Sequence, residues 1–309
     1  MTGRPTIAGM SETTLGILFM VGFSVLAPVM DTAAKLIGDQ VAVGQVAATR
    51  FVFQSALLLP LAAWMGWLHR PRRGEMGLHL MRAALLLVAT SCFFFSLRFM
   101  PVAEAISIFF VEPFILTLLG AWMLGEPIGP RRYIACAVGF AGALLIIRPT
   151  FQDVGPVALL PLVTAFLFAF YMILTRRMAT RMHPITLQAY TGIAAVLIAL
   201  PLLTAFNGSG LSELDPSWPG PREVWLLAVV GLIATLSHVC LSFALSLAPA
   251  STIAPLQYLE IVSATVMGFY VFGTLPDGLA MVGIALIVGS GLFVFLREQH
   301  LERRPPPAP

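Results

Sequence analysis

Apolar runs of roughly 20 residues, bounded by charge, proline or glycine, follow one another along the whole chain, and that length suits a helix crossing a bilayer. Ten runs stand out, at residues 13–36, 41–67, 75–99, 102–125, 130–148, 154–177, 183–206, 222–246, 250–273 and 276–297. None alternates apolar and polar positions with the period of two that a membrane barrel strand needs. Backbone N–H and C=O groups find no water in lipid, so the runs predict α-helices, which bond internally. The expected fold class is an all-α membrane protein of ten transmembrane helices.

Composition narrows the class. Of 309 residues 58% are hydrophobic and 11% charged, against about 25% charged in soluble domains. The net charge of +3 does not imply a nucleic-acid partner, because the basic residues come in small groups between apolar runs, as topology signals do. Twelve of the eighteen fall on one side if the N-terminus is inside: Arg4, Arg70, Arg72, Arg73, Arg131, Arg132, Arg176, Arg177, Arg181, Arg297, Arg303 and Arg304. Lys35, Arg98, Arg148 and Arg222 fall on the other, so both termini are expected in the cytoplasm. Cys92, Cys136 and Cys240 lie inside apolar runs without metal-ligand spacing and read as packing residues. No metal, cofactor or disulfide is expected. The first run is too long for a signal-peptide core and is expected to remain in the mature protein. The longest connection, "NGSGLSELDPSWPGP", faces outside, and the short connections leave no room for a soluble catalytic domain.

The chain also resembles itself. Shifted by 148 residues, "CFFFSLRFMPVAEAISIFFVEPFILTLLGAWMLG" aligns without a gap on "CLSFALSLAPASTIAPLQYLEIVSATVMGFYVFG" with eight identities in 34 positions. Cys92, Phe95, Leu97, Pro101, Glu112, Thr117, Gly120 and Gly125 meet Cys240, Phe243, Leu245, Pro249, Glu260, Thr265, Gly268 and Gly273. Each repeat holds five spans, and an odd number reverses the second copy across the membrane. The expected units are 13–148 and 154–297, followed by a cytoplasmic tail at 298–309.

With these residues in view, the chain resembles the EamA branch of the drug/metabolite transporter superfamily. The resemblance rests on two five-helix repeats, "EPFILTLLGAWMLGEPI" closing the fourth helix, Lys35 ending the first and Arg50 in the second, and it covers about residues 13–297. It implies a multi-pass carrier of the bacterial inner membrane that exports amino acids or related metabolites, with nucleosides, vitamins or drugs as the alternative. The second repeat departs from the pattern, with Ile261 where proline is expected and Thr274 where glutamate is.

Polar residues inside apolar spans are the candidate site. Glu112 and Glu260 each lie about ten residues into a span, near the midplane, where an acid costs roughly 2.5–3.5 kcal/mol. Either they line a cavity, contacting a small-molecule substrate or carrying a coupling proton, or they hydrogen-bond neighbouring helices and hold the repeats together. Gln257, Glu260 and Ala264 share one helical face as a possible substrate wall, whereas Tyr258 points about 100° away and could anchor a helix contact. His238 is a candidate proton shuttle or a satisfied structural group. Asp31 with Lys35, and Arg50 with Gln54, stand four apart on adjacent spans, and Asp31 with Arg50 predicts an ion pair that fixes register, forms an outer gate or binds a substrate carboxylate. Lys35 and Arg82 can also reach the interfaces by snorkelling. Tyr171, Gln188 and Tyr190 are further cavity candidates. The small-residue stripes Ala135, Gly139, Ala143 and Ala285, Gly289 predict close packing or contact in a weak homodimer, the chain otherwise being a monomer. The sequence lacks His-Glu-x-x-His, Gly-x-Ser-x-Gly and P-loop patterns, so no enzymatic chemistry is expected.

Overall fold

A computed structural model of the protein describes residues 11–68, 74–124, 130–179, 182–248 and 254–302. Arg4, Arg70, Arg72, Arg73, Arg181, Arg303, Arg304, Gly125, Pro249 and the tail from 303 lie outside the described residues. Regular structure among those described is entirely helical. The helices are α1 (Glu12–Ile37), α2 (Val43–Trp64), α3 (Glu75–Leu97), α4 (Val102–Phe109), α5 (Glu112–Leu124) and α6 (Pro130–Val154). After them come α7 (Leu160–Ala179), α8 (Pro184–Ala205), α9 (Pro221–Leu247), α10 (Leu259–Phe272) and α11 (Gly278–Glu302). Short 3-10 segments occupy Gly38–Gln40, Gly155–Leu159 and Ala254–Tyr258.

Local chemistry sets the ends of these helices. The Ser11 hydroxyl accepts the N–H of Thr14 at the start of α1, and Gly38, at φ +59, turns the chain out of it. Pro184 and Pro221 open α8 and α9 within the first turn, where a missing N–H costs nothing. Gly273, at φ +68, closes α10: its N–H bonds Phe269 O and the next N–H bonds Gly268 O.

Among the described residues seven stretches are long and apolar enough to cross a membrane; one of them, Tyr133–Thr175, contains most of α6 and of α7, while Leu256–Phe272 and Gly278–Phe293 are shorter apolar helices. Two expected continuous spans are broken. The run 102–125 is cut at Phe110 and Val111 into α4 and α5, and the ninth run enters α10 through a 3-10 segment. Pro113 explains the first break: lacking an N–H, it leaves the Phe109 carbonyl without its helical partner, and it fits the first turn of a new helix. The helix expected to end near 148 continues to Val154, and the last runs to Glu302, into the expected tail.

Packing pairs α1 with α9, α3 with α7, α2 with α8, α6 with α11 and α4 with α10; α2 also meets α9, and α3 meets α8. With α4 and α5 together standing for one span, the 148-residue shift converts α1–α9 into α7–α3, α2–α9 into α8–α3 and the α1–α10 contact into α7–α5, and leaves α2–α8 and α6–α11 unchanged, whereas α4–α10 has no such counterpart. The outward surface carries large apolar side chains, among them Leu144, Leu197 and Val262, which lipid solvates and water would not. The long connection before α9 folds over the start of α2, where Gln45 and the Ser217 backbone exchange bonds of 2.9 and 3.0 Å.

The small-residue stripes divide. Ala135 and Ala143 are buried and Gly139 lies against the Phe114 ring, but Ala285 and Gly289 are exposed, because α11 turns a different face inward. The close crossing of α6 and α11 is instead at Gly142 and Gly283, where a Cβ on either would come within 2.8 and 2.6 Å of the other's carbonyl oxygen. Gly142→Val should therefore cost about 1–3 kcal/mol of overpacking, lowering the melting temperature of the detergent-purified protein. Gly289→Ala, with open space around it, should not; equal melting temperatures would remove this contact as a constraint.

Candidate functional site

A cavity of about 90 Å³ opens between the helices at the level of the two breaks. Seven helices and a 3-10 segment supply its polar lining: Asp31 from α1, Arg50 from α2, Thr90 from α3, Glu112 from α5, Thr164 from α7, His238 from α9 and Glu260 from α10, with Gln257 entering from the 3-10 segment. Phe23, Phe93, Phe94, Phe109, Phe110 and Phe168 form its walls.

The breaks explain how the acids arrive there. Glu112 is the first residue of α5 and Glu260 the second of α10, so each carboxyl stands in the first turn of a half-helix. An acid in that position faces the positive end of the helix dipole, a gain of about 0.3–1 kcal/mol that rises towards 2 when partly buried. The burial cost of the acids is thus partly offset by the backbone that the break exposes.

Arg50 is 3% exposed. Its Nη1 donates to Thr90 Oγ1 at 2.7 Å, its Nη2 contacts His238 Nε2, and its Cζ lies 5.1 Å from the centre of the Phe51 ring. A guanidinium only donates, so His238 Nε2 accepts and the ring proton sits on Nδ1. Arg50 Nε, His238 Nδ1 and Asp31 Oδ1 are buried and have no hydrogen-bond partner among the described residues. The expected Asp31–Arg50 ion pair is therefore not closed. The described residues hold one ion pair, Arg98–Asp39 at 3.1 Å, with Asp39 exposed to solvent and contributing little. Asp31 and Arg50 face the same cavity while His238 and Thr90 take up the guanidinium.

Other candidates lie elsewhere. Lys35 is half-buried and donates from Nζ to the carbonyls of Leu97, at 2.7 Å, and Met100, so it caps the C-terminal end of α3 rather than snorkelling to an interface. Tyr258 lies against Phe110, with ring centres 5.3 Å apart, and against Gly291 of α11. Gln54 donates to Gln188 O at 2.7 Å across α2 and α8, and Tyr190 packs on His79. Arg82 is fully buried instead of reaching the interface; Thr175, Thr191 and Tyr171 accept from it. Thr90 and the phenylalanine walls were not among the sequence candidates. The signal available was spacing: Arg82, Leu86 and Thr90 recur at four-residue intervals and share a face of α3.

The model of the EamA-like transporter family matches residues 14–148 and again 155–296. The chain belongs to the EamA-like transporter family. Its fit with the drug/metabolite transporter superfamily makes it a multi-pass protein of the bacterial inner membrane. It is 28% identical to a riboflavin transporter of Vibrio cholerae, over 84% of this chain and 85% of that one. An S-adenosylmethionine uptake transporter of Rickettsia prowazekii is 25% identical over 92% and 93% of the two chains. A pseudopaline exporter of Pseudomonas aeruginosa is 30% identical over 70% of each. One solved structure superposes with a TM-score of 0.63 at 18% identity, covering 94% of this chain and 98% of that one, a likeness of fold.

The cavity thus gathers three carboxyls, a guanidinium, an imidazole and aromatic faces. Because Arg50 and His238 belong to one hydrogen-bonded unit, Arg50→Gln and His238→Ala should not act additively. A double-mutant cycle on unfolding should give a coupling of about 1–3 kcal/mol; strict additivity would sever the contact.

Proposed function

We propose that this EamA-like protein is a secondary carrier, not an enzyme, that moves a small charged metabolite by alternating access between two inverted halves, 13–148 and 154–297. Its ten segments cross the membrane with both termini in the cytoplasm, a reading supported by the arginine bias and the exchange-symmetric packing of the helices. The central cavity, with the lining of Asp31, Arg50, Glu112, His238, Gln257 and Glu260, is the solute site.

The observation that carries the substrate reading is charge balance. Three carboxyls face one guanidinium, so with all acids ionised the site is short of two positive charges. A cationic solute group or bound protons supply the difference. Arg50, with Nε unpartnered, suits a carboxylate, and the phenylalanine walls suit a flat ring or an onium group. An aliphatic amino acid has no ring to use these walls, and the relatives are named for riboflavin, S-adenosylmethionine and pseudopaline. S-adenosylmethionine combines a sulfonium, an ammonium, a carboxylate and a purine, and it is an amino-acid derivative. It is the better chemical match; riboflavin is neutral and would use only the walls. Glu112 and Glu260 carry the coupling proton, released when a cationic solute arrives.

Radiolabelled S-adenosylmethionine flux into proteoliposomes should be saturable and should exceed riboflavin flux at equal concentration. Glu112→Gln or Glu260→Gln should reduce proton-driven flux by roughly tenfold or more, the range for loss of a positioned proton-transfer group being about 10²–10⁴. It should also flatten the pH profile. Unchanged rate and pH dependence in both variants would remove the carboxylates from coupling, and riboflavin flux without S-adenosylmethionine flux would remove the charge argument.

A further inference from the structure

Arg82 lies outside the cavity lining, yet it is a fully buried guanidinium. Every side chain that accepts from it belongs to the second half: Nε donates to Thr175 Oγ1 at 3.2 Å, Nη1 to Thr191 Oγ1 at 2.7 Å, and Nη2 to Tyr171 Oη at 3.2 Å. Among the described residues no carboxylate lies within ion-pairing distance of it. A buried charge normally retains a counter-ion, because uncompensated burial costs several kcal/mol. Here three neutral oxygens stand around a group whose planar fork matches an oxyanion.

The neighbours add donors rather than negative charge. Tyr171 Oη accepts from both Arg82 and Gln188 Nε2, the latter at 3.4 Å, so its own O–H points to no acceptor among the described residues. Gln188 Nε2 also reaches Ser242 Oγ at 3.1 Å. Guanidinium, phenol O–H and amide N–H₂ thus converge with no negative partner. The cluster sits beside the central cavity: Leu86, one turn along α3, and Phe168, whose ring packs 5.3 Å from that of Tyr171, both line it. From Arg82 to Thr90, which holds Arg50, is eight residues, about 12 Å along the helix. Arg82 is near the start of α3, on the cytoplasmic side in the orientation proposed above.

We infer that Arg82, Tyr171 and Gln188 form a second binding station, on the cytoplasmic side of the central cavity, for a single oxyanionic group of the solute, a carboxylate or a phosphate. Separation of the halves at that side withdraws the hydroxyls of Thr175 and Thr191 from the guanidinium and opens a gap across which Arg82 on one side and the Tyr171 O–H and Gln188 amide on the other take the solute's oxyanion. Reclosure returns the hydroxyls and hands the group on towards Arg50. The station rests on the carrier reading, but its binding chemistry can be measured without transport.

The test uses the full chain purified in detergent, with inorganic phosphate and acetate as probes at fixed ionic strength and saturable change in tryptophan fluorescence as the readout. The wild type should bind at least one probe saturably, the tighter one naming the oxyanion class. Arg82→Gln should weaken that binding roughly tenfold or more, as loss of a charge-assisted fork contact does, and Arg82→Lys should recover part of it. Tyr171→Phe, which keeps the ring and its packing, should weaken it by about threefold, the loss of one neutral hydrogen bond. Wild-type affinity in Arg82→Gln, or no saturable binding of either probe by the wild type, would overturn the station. Should Arg82→Gln fail to fold, unchanged affinity in Tyr171→Phe would overturn it. A failure of the carrier reading looks different: oxyanion binding intact, with no solute flux in proteoliposomes.

Discussion

Two guanidinium groups buried at membrane depth set the terms for the rest of this molecule. Lipid offers Arg50 and Arg82 neither water nor counter-ions, so each must be satisfied by side chains from other helices. Arg50 reaches Thr90 within its own half and His238 in the other, while Arg82 reaches only across, to α7 and α8. Of the five side-chain hydrogen-bond contacts of these two guanidinium groups, one therefore runs within the first half and four run between the halves. They hold the halves together as found, and any separation of the halves must break or replace them. A solute carrying an oxyanion is a natural replacement at either arginine, which ties binding to motion without a dedicated switch.

The acids obey the same economy by another route. Glu112 and Glu260 are not carried by continuous helices but by half-helices that begin at the cavity, where the exposed backbone favours a negative end group. Irregular backbone inside a membrane is tolerated only where it is buried in protein or faces a wet cavity, and both breaks meet that condition. Asp31, by contrast, sits inside an unbroken α1, six residues before its end, and keeps one oxygen unpartnered. It gains nothing from a helix end, which makes it the acid most dependent on a positively charged visitor.

Hydropathy made the segments legible, because lipid forces apolar length on every crossing, and the internal repeat made Glu112 and Glu260 legible as a pair. The breaks were not, since Pro113 is equally at home in a kink and in the first turn of a fresh helix, and only the packing around Phe110 decides. Depth could be read from sequence for Arg82, but not direction. A long side chain one or two turns from an interface can snorkel or turn inward, and Thr175, Thr191 and Tyr171, all remote in sequence, decide that it turns inward. The Asp31–Arg50 pair failed for a related reason. Matched depth on neighbouring helices permits an ion pair, but His238, from a helix 188 residues away, reaches the guanidinium instead.

The repeat is closest where its two copies differ by one residue. Thr117 and Thr265, aligned in the two halves, each donate to the carbonyl four residues earlier at 2.8 Å, and those carbonyls belong to Pro113 and Ile261. Such back-bonding bends a helix slightly in both copies. Beyond that the copies diverge. In the first half the missing N–H of Pro113 concentrates the break into the two residues Phe110 and Val111, whereas the second half spreads it over the five-residue 3-10 segment Ala254–Tyr258. A two-residue break flexes as a point hinge, but a 3-10 segment changes pitch by exchanging i+3 for i+4 bonds along its length. Equivalent acids are thus mounted on unlike joints, so the pseudo-two-fold exchange seen in the helix packing does not extend to the backbone that holds Glu112 and Glu260.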